Sequence, residues 1–281
     1  MPELPEVETV RRSLLPLIQG RTITGVSVVY PKIIVGEPEL FVTRLIGHRL
    51  ETIDRRGKYL LFRFDRDLTM ISHLRMEGKY FVRDTAVPDN KHVHVVFSFD
   101  QGVNLQYQDV RKFGRMQLVE TGTENQVGGL KTLGPEPFSP EFTAEQLLEA
   151  LSRHHKALKP VLLDQHAVTG LGNIYVDEVL WLSRLNPQLP ADQLRLEQAQ
   201  LLHDQIKFEL QLAIDHGGTT IRSYVDAQGQ QGQFQFDLHV YGRQGQPCER
   251  CGHLIQKIKL DGRGTHFCPH CQPLPSINEM E

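Results

Sequence analysis

Cys248-Glu249-Arg250-Cys251, followed after 16 residues by Cys268-Pro269-His270-Cys271, decides how this chain is read. Two Cys-x-x-Cys pairs at that separation have the ligand spacing of a tetrahedral zinc site. The 247 residues before Cys248 contain no other cysteine, which fits a reducing compartment and a metal better than disulfides. Four thiolates fill a tetrahedral shell and leave no position for water, so the expected zinc ion is structural rather than catalytic. Between the pairs, 255–260 and 262–267 read as the strands of a hairpin turning at Asp261-Gly262. Lys259 and Arg263 fall at its tip. From Arg243 to Cys271 there are five Lys and Arg against two acids, a local balance of +3 in a chain whose net charge is −3. A basic face, not the global sum, is what a nucleic-acid partner requires, although a charged tip on a solvated hairpin is also common.

Upstream of the cysteines the pattern is helical. Segments 156–165, 173–185 and 191–215 carry helical periodicity, and Thr143-x-x-Gln146 is a capping box before Leu147, Leu148 and Leu151. Gly217-Gly218 ends the last helix. The Gly-, Gln- and Ser-rich run 217–237 reads as a loop, either a plain linker or a functional lid. A Gly- and Pro-rich stretch at 121–140 reads as a domain boundary. Before it the period changes to two. Short strands are expected at 22–30, 49–54, 59–64, 68–74, 79–82, 93–99, 103–107 and 115–119, with Asp100-Gln101-Gly102 as a hairpin loop. Many short strands without intervening helices predict a β-sandwich or barrel. An amphipathic helix at 5–18 (Val7, Val10, Leu14, Leu17, Ile18) precedes them, so the class is α+β. No run of 18 apolar residues and no signal-peptide layout is present, which predicts a cytoplasmic protein with no membrane partner. Nothing in the composition argues for an oligomer, so a monomer is expected.

The first six residues, Met1-Pro2-Glu3-Leu4-Pro5-Glu6, admit two readings. Proline and acids are favoured in an ordinary first helical turn. Alternatively, removal of Met1 leaves Pro2 as a free secondary amine, a nucleophile whose pKa lies much nearer neutrality than a lysine's. The helix dipole disfavours a protonated amine at that end and enlarges its reactive neutral fraction.

The opening Pro2-Glu3-Leu4-Pro5-Glu6-Val7-Glu8-Thr9-Val10, the Gly172-Asn173-Ile174-Tyr175 segment and the four-cysteine finger together resemble bacterial formamidopyrimidine-DNA glycosylases. The resemblance spans nearly the whole chain. It implies an N-terminal β-sandwich domain with an N-terminal helix (1–130), a helical helix–two-turn–helix domain with a lesion-covering loop at 217–237 (131–237), a zinc-finger β-hairpin (238–272) and a short tail (273–281). It implies one structural zinc ion on Cys248, Cys251, Cys268 and Cys271, and damaged double-stranded DNA as partner. The implied reaction is excision of 8-oxoguanine and formamidopyrimidines followed by strand cleavage through β,δ-elimination.

The same resemblance assigns roles. Pro2 forms a Schiff base with C1′ of the damaged nucleotide. Glu3 is the adjacent acid/base, Glu6 a supporting carboxylate, and Lys58 (otherwise an unremarkable turn lysine) a proton donor near the lesion. Arg263 clamps phosphate during the last elimination. Met76, Arg111 and Phe113 fill the gap left by an extruded base, Arg111 facing the orphaned cytosine; core packing is the competing reading for Met76 and Phe113. His73, His92, Asn173 and Tyr241 contact phosphates. His154 stands where the family carries a DNA-contacting lysine, in the tract Arg153-His154-His155-Lys156, which departs from the lysine-rich run expected there. Rival readings are an oxidised-pyrimidine glycosylase of the endonuclease VIII type, a non-catalytic zinc-dependent DNA-binding protein, and an N-terminal-proline tautomerase, which needs no finger.

Overall fold

The computed structural model describes residues 1–88, 90–220, 229 and 231–274. It divides into two compact units, one formed by Met1–Lys131 with His216–Gln235, the other by Thr132–Asp215 with Phe236–Glu281. Nine of the 21 residues of the expected lesion-covering loop (221–228 and 230) and the tail beyond Leu274 lie outside the described residues. Among the described residues no helix is long and apolar enough to cross a membrane.

The first unit is a sandwich of two four-stranded antiparallel sheets. The strands are β1 (Ile23–Val28), β2 (Leu50–Arg56), β3 (Tyr59–Phe64), β4 (Leu68–His73), β5 (Lys79–Arg83), β6 (Val93–Phe99), β7 (Asn104–Gln108) and β8 (Arg115–Glu120). One sheet has the order β1-β6-β7-β5 and the other β2-β3-β4-β8. Helix α1 (Leu4–Ile18) buries Val7, Val10, Leu14 and Ile18, the stripe set by its 3.6-residue period, in the same apolar cluster as Leu60, Phe62, Val95 and Tyr107. Burying each such side chain stabilises the fold by about 1.5–3 kcal/mol. The sequence also predicts period-two alternation in β6, but the strand is buried on both faces. Beside it lies a short helix the sequence reading did not contain, α2 (Pro38–Leu45). Its Phe41 meets Phe97 edge-on at 6.3 Å, while Tyr30 packs against His94 at 5.6 Å.

The second unit contains α3 (Ala144–Ser152), α4 (Leu158–Leu163), α5 (Asn173–Leu182) and α6 (Leu196–Asp215), then the hairpin β9 (Gln256–Leu260) and β10 (Arg263–Phe267). Thr143 caps α3 by accepting the Gln146 N–H at 3.2 Å. Asp261 and Gly262 both have positive φ, 47° and 75°, as a two-residue type I′ hairpin turn requires. The pairing of Arg263 with Leu260 then sets the register of the finger.

Glu209, on α6, is 1% exposed, and among the described residues its Oε1 has no hydrogen-bond partner. Burial, reinforced by the nearby negative charges of Glu178 and Asp237, raises its pKa to about 8. Because the folded pKa exceeds the unfolded one, the folded chain binds the extra proton between about pH 4.3 and pH 8. Stability from this group is full at the acid end and falls as pH rises through that window. Glu209→Gln keeps the shape and removes the titration. Its thermal midpoint should therefore decline less than the wild type's between pH 5 and 8. Parallel pH profiles for the two proteins would refute this account.

Candidate active site and metal centre

Strand register brings most of the expected site residues of the first unit to one end of the sandwich. Tyr59 pairs with His73 and His73 with Arg115 in one sheet, while Lys79 and Val93 both pair with Gln108 in the other. The β2–β3 turn (Gly57-Lys58), the β4–β5 crossing (74–78), the residues before β6 (90–92) and the β7–β8 crossing (109–114) therefore leave the sheets at the same end. Only the first residue of the Gly57-Lys58 turn has positive φ (55°), the pattern of a type II′ hairpin.

Helix α1 points its amino terminus at that end. It runs antiparallel to β2: the Arg55 Nε–H donates to Glu8 at 3.2 Å, Arg11 to the Ile53 carbonyl at 3.2 Å, and Gly20 N–H to the Leu50 carbonyl at 2.8 Å. Residue number rises along the helix as it falls along β2, so Pro2 and Glu3 lie toward the Gly57-Lys58 turn. Pro2 is buried, and Glu3 (3% exposed) is the N-cap. Glu3 and Glu6 form a reciprocal capping box. The Glu6 carboxylate, 2% exposed, accepts the Glu3 N–H at 2.7 Å through Oε2 and the Thr219 N–H at 2.7 Å through Oε1. A side chain at residue 218 would put Cβ 2.9 Å from Glu6 Oε1, and φ there is +78°, so this approach demands Gly218.

Lys58 is buried (6% exposed), which sets it apart from an ordinary turn lysine. His73 is buried as well, and its Nδ1 accepts the Arg75 N–H at 2.9 Å. Burial first, then the positive charges of Arg75 and Lys58, lower its pKa to about 3. His73 is thus neutral, with its proton on Nε2, and Nε2–H is a donor that does not depend on physiological pH. Met76 and Phe113 are 37% and 47% exposed, against the core-packing reading, and the Arg111 guanidinium lies over the Phe113 ring at 4.7 Å. His92 is half-buried, and its carbonyl accepts the Asp109 N–H at 2.9 Å.

In the second unit the four cysteine sulfurs lie within 4.8 Å of one another, with Cys248–Cys271 at 3.9 Å and Cys251–Cys268 at 3.5 Å. Tetrahedral Zn–S bonds of about 2.3 Å separate sulfurs by about 3.8 Å, so the set fits one structural zinc ion. The Trp181 indole N–H donates to Cys248 Sγ at 3.4 Å, an outer partner that orients the ligand. Cys251, His253 and His270 also lie close together. Their imidazoles stack face to face at 4.2 Å and 8°, so the in-plane lone pairs run side by side and do not converge on an ion.

Asn173 opens α5, and its Nδ2 donates to the Gly264 carbonyl at 3.0 Å, beside the exposed Arg263. Lys159 Nζ, 1% exposed, donates to the same carbonyl at 3.0 Å and pairs with Asp177 at 2.8 Å. Asp177 also accepts the His266 N–H at 2.9 Å. Glu178 accepts the N–H groups of His239, Val240 and Tyr241 at 2.7, 3.0 and 2.7 Å. His154 lies beyond α3, half-buried, its N–H on the Leu151 carbonyl at 3.0 Å. Lys159, Asp177 and Glu178 were absent from the sequence reading. Their signal is an acid pair and a lysine embedded in apolar helical positions, where burial demands partners.

Three family models match the chain: formamidopyrimidine-DNA glycosylase N-terminal domain over 1–116, the formamidopyrimidine-DNA glycosylase H2TH domain over 133–225, and the zinc finger found in FPG and IleRS over 245–274. The formamidopyrimidine-DNA glycosylase of Latilactobacillus sakei is 56% identical over 97% of this chain and 98% of its own length. That of Ligilactobacillus salivarius is 57% identical over 98% and 100%. A Lactococcus lactis FPG variant solved with a Fapy-dG-containing DNA superposes with TM-score 0.92 at 46% identity, covering 97% of this chain and 100% of that one. The wild-type Lactococcus lactis protein with an oxidised-pyrimidine-containing DNA superposes with TM-score 0.90 at 46% identity and the same coverage.

Two measurements check the site as built. Long-range proton–nitrogen spectra should show His73 as the Nε2–H tautomer with no titration between pH 8 and pH 5; a midpoint near 6 would contradict the assigned environment. Metal analysis should find one zinc per chain, and chelation should collapse the β9–β10 amide signals. A hairpin that keeps its dispersion without metal would show that the thiolates do not hold it.

Proposed function

The chain belongs to the formamidopyrimidine-DNA glycosylase family, and from that premise we propose that it is a bifunctional DNA glycosylase and abasic-site lyase of base excision repair, working as a cytoplasmic monomer on 8-oxoguanine and formamidopyrimidines in duplex DNA. The observation that carries this reading is the capped amino terminus of α1, directed at the sandwich end that also bears buried Lys58, neutral His73 and two loops with exposed Met76, Arg111 and Phe113.

With Met1 removed, the Pro2 secondary amine attacks C1′ of the extruded nucleotide. The glycosidic bond breaks and its electron pair leaves with the base, which takes a proton. Glu3 moves protons on the sugar as the ring opens, Lys58 supplies a proton near the lesion, and a Pro2–C1′ iminium results. The iminium acidifies the C2′ proton. Loss of that proton expels the 3′ phosphate, a second elimination expels the 5′ phosphate, and water releases Pro2. Arg263 stays protonated and acts first as a phosphate clamp. His73, His92, His154, Asn173 and Tyr241 would position the backbone, and Glu6 would hold the amino terminus. Extrusion costs a few kcal/mol of unstacking, and Met76, Arg111 and Phe113 would fill the gap. An oxidised pyrimidine is a second substrate class to test, because a Lactococcus lactis relative has been solved with such a DNA.

Borohydride added to the protein with an 8-oxoguanine duplex should trap a covalent adduct located at Pro2. Full-length processed protein that gives no adduct would end the Schiff-base reading. A retained Met1 or an N-terminal tag should abolish cleavage and spare lesion binding, whereas normal cleavage by tagged protein would exclude Pro2 as nucleophile. Thymine-glycol duplexes should be cut more slowly than 8-oxoguanine·C, and the reverse order would favour the pyrimidine reading. Cys248→Ala should weaken DNA binding as zinc is lost.

A further inference from the structure

Met76 and the Arg111–Phe113 pair are carried by two separate crossings between the sheets, 74–78 and 109–114. Neither crossing is held by a strand ladder. Each contains a non-glycine residue in the left-handed region, Arg75 at φ 55° and Lys112 at φ 58°. Such backbone is costly and persists only where surrounding structure imposes it.

One tyrosine and one aspartate pack against these crossings, and the Arg75 N–H is held besides by His73 Nδ1 at 2.9 Å. Tyr107 is fully buried near the end of β7, with its ring against Tyr80 at 5.1 Å. Its hydroxyl lies between the last residues of the two crossings. A Cβ on Gly114 would stand 1.7 Å from that oxygen, and a Cβ on Gly78 would stand 2.4 Å from it. Gly114 is therefore required by the hydroxyl, Gly78 by the hydroxyl and by the Leu74 carbonyl oxygen (2.6 Å from such a Cβ), and neither by its own φ. The same hydroxyl donates to Asp109 Oδ2 at 3.3 Å. Asp109 is 0% exposed and closes the second crossing on itself: Oδ1 accepts the Arg111 N–H at 2.9 Å and Oδ2 the Gly114 N–H at 2.8 Å. The Asp109 carbonyl accepts the Nε2–H of buried His94 at 2.9 Å, which anchors this turn to β6. The Gly78 N–H in turn closes the first crossing on the Leu74 carbonyl at 2.9 Å.

We propose that Tyr107 and Asp109 are positioning residues that set the spacing and orientation of the Met76 loop and the Arg111–Phe113 loop relative to each other. The three side chains then meet a duplex as one preformed wedge. The proposal rests on the gap-filling reading of those three residues given above. Burial, reinforced by the Asp109 charge, pushes the phenol's pKa well above its usual value, so the hydroxyl keeps its proton. Tyr107→Phe removes only the oxygen that spaces the loops. Asp109→Asn keeps the shape but leaves one of the two N–H donors facing an amide NH2.

The test separates duplex from single-stranded substrate, because only a duplex leaves a gap and an orphaned base. Excision from an 8-oxoguanine·C duplex is measured under single turnover. Borohydride trapping is measured on a single-stranded oligonucleotide carrying an abasic site. Tyr107→Phe and Asp109→Asn should each slow duplex excision about tenfold, the effect of one mispositioned hydrogen-bonding group. Trapping on the single strand should stay within about twofold of wild type. Equal losses on both substrates, or no loss on either, would overturn the proposal. Arg111→Ala is the control for the underlying reading and should lose far more on the duplex than on the single strand. If Arg111→Ala shows that split and the Tyr107 and Asp109 variants do not, the positioning role fails while the wedge survives. If Arg111→Ala shows no split, the wedge reading itself falls and takes the positioning role with it.

Discussion

The Glu6 carboxylate accepts the Glu3 N–H through one oxygen and, through the other, the N–H of Thr219, 213 residues further along the chain. A chain end is the least constrained part of most proteins. The proposed nucleophile, located there, is useful only if its amine is held in a defined position, and no strand ladder reaches residue 2. One buried carboxylate supplies that constraint from within the first helical turn. Charge-assisted bonds of this kind contribute about 1.5–3 kcal/mol each, enough to hold a terminus that would otherwise fray.

The same device recurs beside several other proposed functional groups. Asp109 accepts two main-chain N–H groups and shapes the Arg111–Phe113 crossing. Glu178 accepts three and fixes the run that contains Tyr241, just before the finger. Asp177 accepts the His266 N–H while Lys159 and Asn173 share the Gly264 carbonyl, so the arginine at the hairpin tip is supported from α4 and α5. Each acid accepts N–H groups that would themselves be unpaired, which offsets part of the penalty for burying it. Burial raises the pKa of Glu178 even against its three N–H donors, and it raises that of Glu209, whose Oε1 has no partner among the described residues, to about 8.

Much of this was legible beforehand. Period-two segments marked all eight sandwich strands, the Asp261-Gly262 pair marked the finger turn, and the cysteine spacing marked the metal set, because each is a local rule with a strong physical cause. Helix α2 was not legible. It is eight residues long, and its apolar positions Leu40, Phe41, Val42 and Leu45 fit no clear period; tertiary contact with Phe97 decides it. Exposure of Met76 and Phe113 also could not be read from residue type, since both usually pack inside. The network of acids was invisible for a different reason. Glu6 and Asp109 look like ordinary helix-cap or turn residues, and the Thr219 N–H on Glu6 and the His266 N–H on Asp177 come from far along the chain, where no spacing rule reaches.

Glycine is the necessary complement of these acids. Gly218 lets the backbone approach Glu6, and Gly78 and Gly114 let two loops approach the Tyr107 hydroxyl. A methyl group at any of the three would displace a polar atom whose position defines a neighbouring proposed functional residue. Core substitutions in the sandwich relax by shifting apolar neighbours, at a cost that depends on how well the site closes. No such relaxation is open to a carboxylate already committed to two N–H groups. The fold therefore tolerates drift in its apolar layers more readily than in these few polar contacts, although the contacts contribute a small share of the buried area. Stability in this chain rests on the sheets and helices, while the positions of the proposed chemical groups rest on acids paired with close-packed backbone.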